Sequence, residues 1–208
     1  TYIMKKISFI ISLLIVSITY GQLGLSVGYG SAKAKVSGGG VSINTESMSA
    51  ISLGLVYDSN ISENFDLQPY FSFGIGEKIE GESNNGIAIG THLQFYPSKE
   101  TLGLFFGPSL GYSFSLEDID TTYSKKGGFG IGFQFGYDFS ENITAIIQYS
   151  KLLTNMSKID GIKVKSDSFG LTVQYKFQKN TAGSSADWNL SNTFFLMKSF
   201  LPKVLLEK

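Results

Sequence analysis

The 208-residue chain has no cysteine, a single histidine, four prolines and little charge: only 16% of its residues are Asp, Glu, Lys or Arg. The missing cysteine excludes disulfides, thiolate metal sites and a cysteine nucleophile. One histidine confines imidazole chemistry to position 92. Seventeen basic residues balance seventeen acidic ones, which removes the cationic footprint that nucleic-acid binding requires. An average soluble domain carries about 25% charged residues, so this surface is not that of an ordinary water-facing enzyme. No apolar run reaches the roughly 20 residues of a membrane-spanning helix. Abundant instead are glycine (24), phenylalanine (17) and tyrosine (11). The apolar side chains are therefore dispersed, and their spacing carries the information.

At the N-terminal end, Lys5 and Lys6 precede an apolar run from Ile7 to Ile18, followed by Thr19, Tyr20 and Gly21. A basic pair, about a dozen apolar residues and a small-residue ending make the pattern of a cleavable secretory signal peptide. Residues 1–21 are expected to be removed on export, with cleavage before Gln22. Thr1, Tyr2 and Ile3, ahead of Met4, read as an extension of the reading frame.

From Gln22 to Phe177 the dominant signal has period two, which puts alternate side chains on opposite faces of a strand. In the first segment Leu23, Leu25, Val27 and Tyr29 share one face, against Gly24, Ser26, Gly28 and Gly30. The cleanest sets Phe129, Ile131, Phe133, Phe135 and Tyr137 against Gly128, Gly130, Gly132, Gln134, Gly136 and Asp138. Eight such segments recur, at 23–30, 50–57, 64–75, 87–96, 103–114, 128–138, 143–150 and 168–177. No helical period competes with them.

Alternation alone suits a soluble or a membrane barrel. The small face decides between them: it is Gly, Ser, Ala and Gln, with Asp66, Asp138 and Lys176 as its formal charges within the strands. That composition fits the crowded lumen of a narrow barrel and not a solvated exterior. The large apolar face must then look outward, which lipid tolerates and water does not. Connections agree: long loops are predicted at 31–47, 77–85, 117–127 and 153–163, and short turns at 58–63, 97–101 and 140–141. This is the asymmetry of outer-membrane barrels, with long loops outside. The expected fold is all-β, an eight-stranded antiparallel up-and-down transmembrane β-barrel over residues 22–177, with both termini in the periplasm of a Gram-negative cell. Laid antiparallel, the outward aromatics form two girdles: Tyr57, Phe65, Phe95, Tyr137 and Tyr175 at the periplasmic interface, and Tyr29, Phe73, Phe114, Phe129 and Phe169 at the outer one.

Residues 22–177 resemble the eight-stranded outer-membrane β-barrel family that includes the OmpA transmembrane domain, OmpX and the opacity-type proteins. The sharpest local likeness is the last segment, Ser168 to Phe177. It resembles the signal read by the barrel-assembly machinery, with Ser168, Gly170, Val173, Tyr175 and Phe177 in the matching positions. The resemblance implies that machinery as a partner during biogenesis, outer-membrane lipid and lipopolysaccharide as surroundings, and extracellular ligands or host surfaces as contacts of the loops. Residues 178–208 depart from it. They open like a linker and continue with Trp188, Leu190, Phe194 and Phe195 toward Pro202, which reads either as a short amphipathic helix or as translation past the natural stop.

Chemistry is sparse. His92 faces the lumen on the fourth segment, with no second histidine and no Ser-His-Asp set at one mouth, so it reads as a hydrogen-bonded lumen residue and the chain as a non-enzyme. Asp66, Asp138 and Lys176 project inward near the periplasmic end, where an isolated charge is costly, so Lys176 should pair with one of the aspartates. With Gln68, His92, Gln94, Tyr96, Gln134 and Gln174 they would form a polar network closing the base, below a shallow wet cavity open outward. The Ser-Gly-Gly-Gly run at 37–40 reads as a flexible loop tip. No cofactor, metal or nucleic acid is implied. The role expected is structural or surface-interaction, through adhesion or binding by the loops; the alternatives are a narrow conduit and a component of an outer-membrane secretion or assembly complex.

Overall fold

The computed structural model describes residues 21–79, 82–98, 102–117 and 119–177. The signal peptide expected at 1–21 and the tail at 178–208 lie, Gly21 apart, outside them. The described residues form nine strands: β1 (Gln22–Gly38), β2 (Val41–Asn44), β3 (Met48–Ser62), β4 (Phe65–Ile79), β5 (Glu82–Phe95), β6 (Gly103–Ser115), β7 (Gly127–Asp138), β8 (Ile143–Leu152) and β9 (Lys163–Lys176). Every pairing is antiparallel; β1 pairs with both β2 and β3, β3 to β9 pair in chain order, and β9 returns to pair with β1 along fourteen positions, from Gly24 opposite Lys176 to Ser37 opposite Lys163. β1 and β3 to β9 thus close an eight-stranded barrel. Closure matters physically because a spanning sheet must leave no unpaired backbone edge in hydrocarbon.

Alternation dictates which face is which. Along β9, every odd-numbered residue from Lys163 to Tyr175 is exposed and every even-numbered one less so, ending in buried Gln174 and Lys176. The odd positions of β1 continue this face through Leu23, Val27 and Tyr29. Leu, Ile, Val and Phe cover the outside, and the small and polar residues fill the lumen. The seam is also stitched: Gln22 donates through Nε2 to the carbonyl of Phe177 at 2.7 Å, and Phe177 N–H donates to the Leu23 carbonyl at 2.7 Å.

Two predicted loops prove to be largely strand. At 31–47 the chain continues β1 to Gly38, turns at Gly39 and Gly40 with φ of 58° and 81°, and returns as β2. Two consecutive positive-φ residues are what a tight hairpin turn demands, and only glycine adopts them freely. At 77–85, β4 and β5 extend until Ile79 faces Glu82. Both extensions escaped the reading for one reason: beyond the lipid a ladder is held by its backbone, so the apolar alternation that marks a strand fades. The described parts of the long connections at 116–126 and 153–162 hold no strand, only an isolated bridge between Ser124 and Ser157.

The end carrying Gln22, Lys176 and the connections β3–β4, β5–β6 and β7–β8 is called the turn end below. The opposite end is the loop end.

Candidate functional site

Near the turn end, the lumen is filled by side chains from seven strands, β3 to β9. Lys176 on β9 places Nζ 2.6 Å from Asp58 Oδ2 and 3.2 Å from Asp138 Oδ1. The Asp138 carboxylate also accepts from the Tyr96 hydroxyl at 2.8 Å and from the Thr144 hydroxyl. Asp58 accepts from Gln68 Nε2, and Gln68 exchanges two amide hydrogen bonds with Gln174, at 3.0 and 3.2 Å. One ammonium between two carboxylates, each holding further donors, is how buried charge is made tolerable.

The predicted lumen residues are placed as follows. Gln68, Gln174, Asp138 and Lys176 meet in this cluster. Asp66 does not: it is half-buried and accepts from Asn60 Nδ2 at 2.9 Å, so the partners of Lys176 are Asp138 and Asp58. Gln94 is fully buried, its amide oxygen 3.5 Å from the Tyr96 hydroxyl. Gln134, also fully buried, has no protein partner for either end of its amide, nor has the nitrogen of Gln94. Such groups in a polar lumen are water-binding positions. His92 is buried and stacked on Tyr70, with ring centroids 4.5 Å apart, and its Nδ1 has no protein partner.

Asp58 is absent from the expected network because the sequence places it at the start of the 58–63 turn, where Asp is common. Parity would have found it, since Ser52, Gly54 and Val56 lead to Asp58 on the inward face. Thr144 is a further omission, and so is Phe105. It is fully buried on the lumen side and packs against Tyr96 at 5.3 Å with Ile146 beside it. Its ring lies over Gly136, where a Cβ would overlap it. A large apolar residue amid glycines on the small face was the available signal.

Above the plug lies a cavity of about 430 Å³. Its lining includes Ser26, Ser52, Ser72, Ser109, Ser150, Ser168 and Thr172, with Tyr70, His92 and Gln174 toward its base and Ser113 and Ser166 near the loop end. The vestibule therefore runs from the plug to the loop end and is rich in hydroxyls, with Val56, Ala88 and Ile146 among them.

Around the outside at the turn end, Phe65, Phe95, Phe106 and Phe133 form a chain of ring contacts at 5.0, 5.4 and 6.2 Å. Tyr137 contacts Phe139 at 5.0 Å and Tyr175 contacts Phe177 at 5.7 Å, while Tyr57 is half-buried. Toward the loop end Tyr29, Phe114, Phe129 and Phe169 are exposed and Phe73 half-buried. In β9, Ser168 and Gly170 face the lumen, with Ser168 Oγ 2.6 Å from Ser150 Oγ, and Val173 and Tyr175 face outward.

A closed barrel, apolar outside with aromatics toward both ends and polar within, defines an integral outer-membrane β-barrel. The chain belongs to the outer membrane protein beta-barrel domain family, whose model matches residues 17–177, and this family places it in the bacterial outer membrane. No curated protein matches it in sequence. Among solved structures it is similar to the outer membrane enzyme PagL, at 13% identity and a TM-score of 0.51 over 73% of this chain and 98% of that one. It is similar also to Ail, the attachment invasion locus protein of Yersinia pestis (16%, 0.47, 76% and 99%), and to Neisserial surface protein A (17%, 0.44, 74% and 97%). At these identities the likeness is one of fold.

Proposed function

We propose that this barrel is a non-enzymatic surface-interaction protein, closed to solute flow at its base and active through its loop end, with the turn end in the periplasm. The observation that carries the reading is the difference between the two ends. At the turn end the ion cluster, the glutamine pair and Phe105 occupy the lumen. At the loop end the β1–β2 hairpin continues beyond the upper aromatics, and its Val41 and Ile43 are 62% and 64% exposed. They lie with Val36 and Ile162 along a shallow groove. Apolar side chains clear of the lipid contact mark a place where a partner binds. On the same reading, Ser168, Gly170, Val173, Tyr175 and Phe177 on the closing strand are what the barrel-assembly machinery engages.

Orientation is testable because the chain lacks cysteine. A membrane-impermeant maleimide should label Ser42→Cys on intact cells, and Glu141→Cys only once the outer membrane is opened; the reverse pattern would sink the topology. Cells displaying the chain should attach to immobilised host or matrix surfaces, and a Val41→Asp/Ile43→Asp double variant with normal heat-modifiable mobility should not. Equal attachment by wild type, variant and cells without the protein would refute the role.

A further inference from the structure

Above the aromatic belt, the β1–β9 ladder places Lys33 opposite Asp167, Lys35 opposite Lys165 and Ser37 opposite Lys163. Residues directly opposite across an antiparallel pair have Cβ atoms about 4.5–5.5 Å apart, and like charges so placed destabilise the sheet. All four lysines occupy odd positions, the face that carries Tyr29 and Phe169 toward lipid, and all are exposed. Among the described residues none makes an ion pair or a side-chain hydrogen bond. Asp167, the one carboxylate in this part of the ladder, is 4.0 Å from Lys151. On its other side Lys35 faces neutral Asn44.

The height of the patch indicates what meets it. Lys33 is four residues beyond Tyr29, and Lys165 four residues before Phe169. At about 3.3 Å per residue and a strand tilt near 40°, that puts the ammonium-bearing positions roughly 10 Å above the belt along the barrel axis. Aromatic belts sit at headgroup level, so the lysines look sideways into the layer just outside the hydrocarbon. A water-facing loop patch would need no such direction.

We propose that Lys33, Lys35, Lys163 and Lys165 form a binding site for the phosphorylated saccharide headgroup of an outer-leaflet lipid. The inference rests on the loop end facing outward. The headgroup's phosphates supply the negative charge that the protein leaves out between Lys35 and Lys165, and its acyl chains continue down over the apolar side chains below Tyr29 and Phe169. Lys151, held by Asp167, borders the site.

The test uses the full chain in phosphatidylcholine nanodiscs doped with lipid A, either bis-phosphorylated or fully dephosphorylated, with retained lipid counted by native mass spectrometry. The wild type should retain the phosphorylated form at least tenfold better. A Lys35→Gln/Lys165→Gln variant should lose roughly 25-fold in that retention, about fivefold per lysine. Lys35→Arg/Lys165→Arg should keep it, and Lys125→Gln/Lys126→Gln on the β6–β7 loop should leave it unchanged. Equal retention of both lipids, or an equal loss in the Lys125/Lys126 variant, overturns the site. Displacement of the lipid by excess inorganic phosphate would assign the lysines to a free anion and overturn the lipid assignment. Nanodiscs expose both faces, so retention is independent of orientation, which Ser42→Cys labelling reads separately.

Discussion

Lys176 and Asp58 form an ion pair at 2.6 Å across a strand that separates them: β1 runs between β9 and β3, and its Gly24 faces Lys176 on one side and Val56 on the other. Glycine there leaves the lumen free for the lysine to reach over to Asp58, and Asp138 closes on the same ammonium from β7. Removing one partner of a buried ion pair costs about 3–5 kcal/mol, because the other charge is left uncompensated. Lys176→Ala should therefore draw water into the base as well as weaken the barrel. In planar bilayers the wild type should show near-zero conductance and the variant resolvable openings. Near-zero conductance in both would mean that this cluster is not what closes the lumen.

The contact of Phe105 with Gly136 makes a second, independent test of the plug. A methyl group at 136 cannot coexist with the ring in its present position, and overpacking of this kind costs about 1–3 kcal/mol. Gly136→Ala should lower the unfolding free energy read from urea titration in lipid vesicles by that amount, and Phe105→Leu should restore most of it in the double variant. Additive losses in the two variants would argue that Gly136 is needed for its backbone and not for the ring it accommodates.

How far each feature was legible in the sequence follows from what holds it. Lipid imposes period two on the spanning strands, so the faces of β1, β7 and β9 could be read directly, down to Gln174 and Lys176 on the inward side. Beyond the lipid nothing imposes it. Lys33 to Gly38 and Val41 to Asn44 pair through their backbones, and Val36, Val41 and Ile43 among lysines and serines are too few to stand out as a strand face, so the hairpin reads as a loop although its Gly39–Gly40 tip is visible. Asp58 was hidden by its residue type, and of the two aspartates expected as candidates for Lys176, Asp138 meets it while Asp66 bonds Asn60, its partner across the tight β3–β4 turn. The facing of Lys35 and Lys165 depends on the register of strands more than a hundred residues apart, which no local pattern contains.

Asp120, itself fully exposed in the loop between β6 and β7, accepts from the backbone N–H of Thr122 at 2.8 Å, and this bond holds its carboxyl below the ordinary value of 3.8, with Lys158 adding a smaller effect. A depressed carboxyl pKa favours the folded loop above the unfolded value, and that contribution is lost as pH falls through the lower, folded one. The Thr122 amide resonance should accordingly titrate with a midpoint below 3.8. In Asp120→Asn this titration should vanish. A midpoint at or above the ordinary carboxyl value would show that the turn does not persist in solution.

Val27 and Val173 face each other at mid-height on the outside of β1 and β9, and both are more than half exposed. In water, exchanging such an exposed valine for lysine would be close to neutral, and the costly substitution would be a charge on the packed inner face. In a membrane the order inverts. Val27→Lys must place its ammonium in hydrocarbon, at about 2–4 kcal/mol near the midplane. Ser72→Lys, which opens onto the 430 Å³ vestibule, can keep its ammonium hydrated. Urea titrations in lipid vesicles should therefore rank Val27→Lys well below Ser72→Lys in stability, with the gap shrinking when the lysine is moved along β1 to position 31, past Tyr29. The opposite ranking would mean that the apolar face of every strand is a buried surface and the lumen a solvated one.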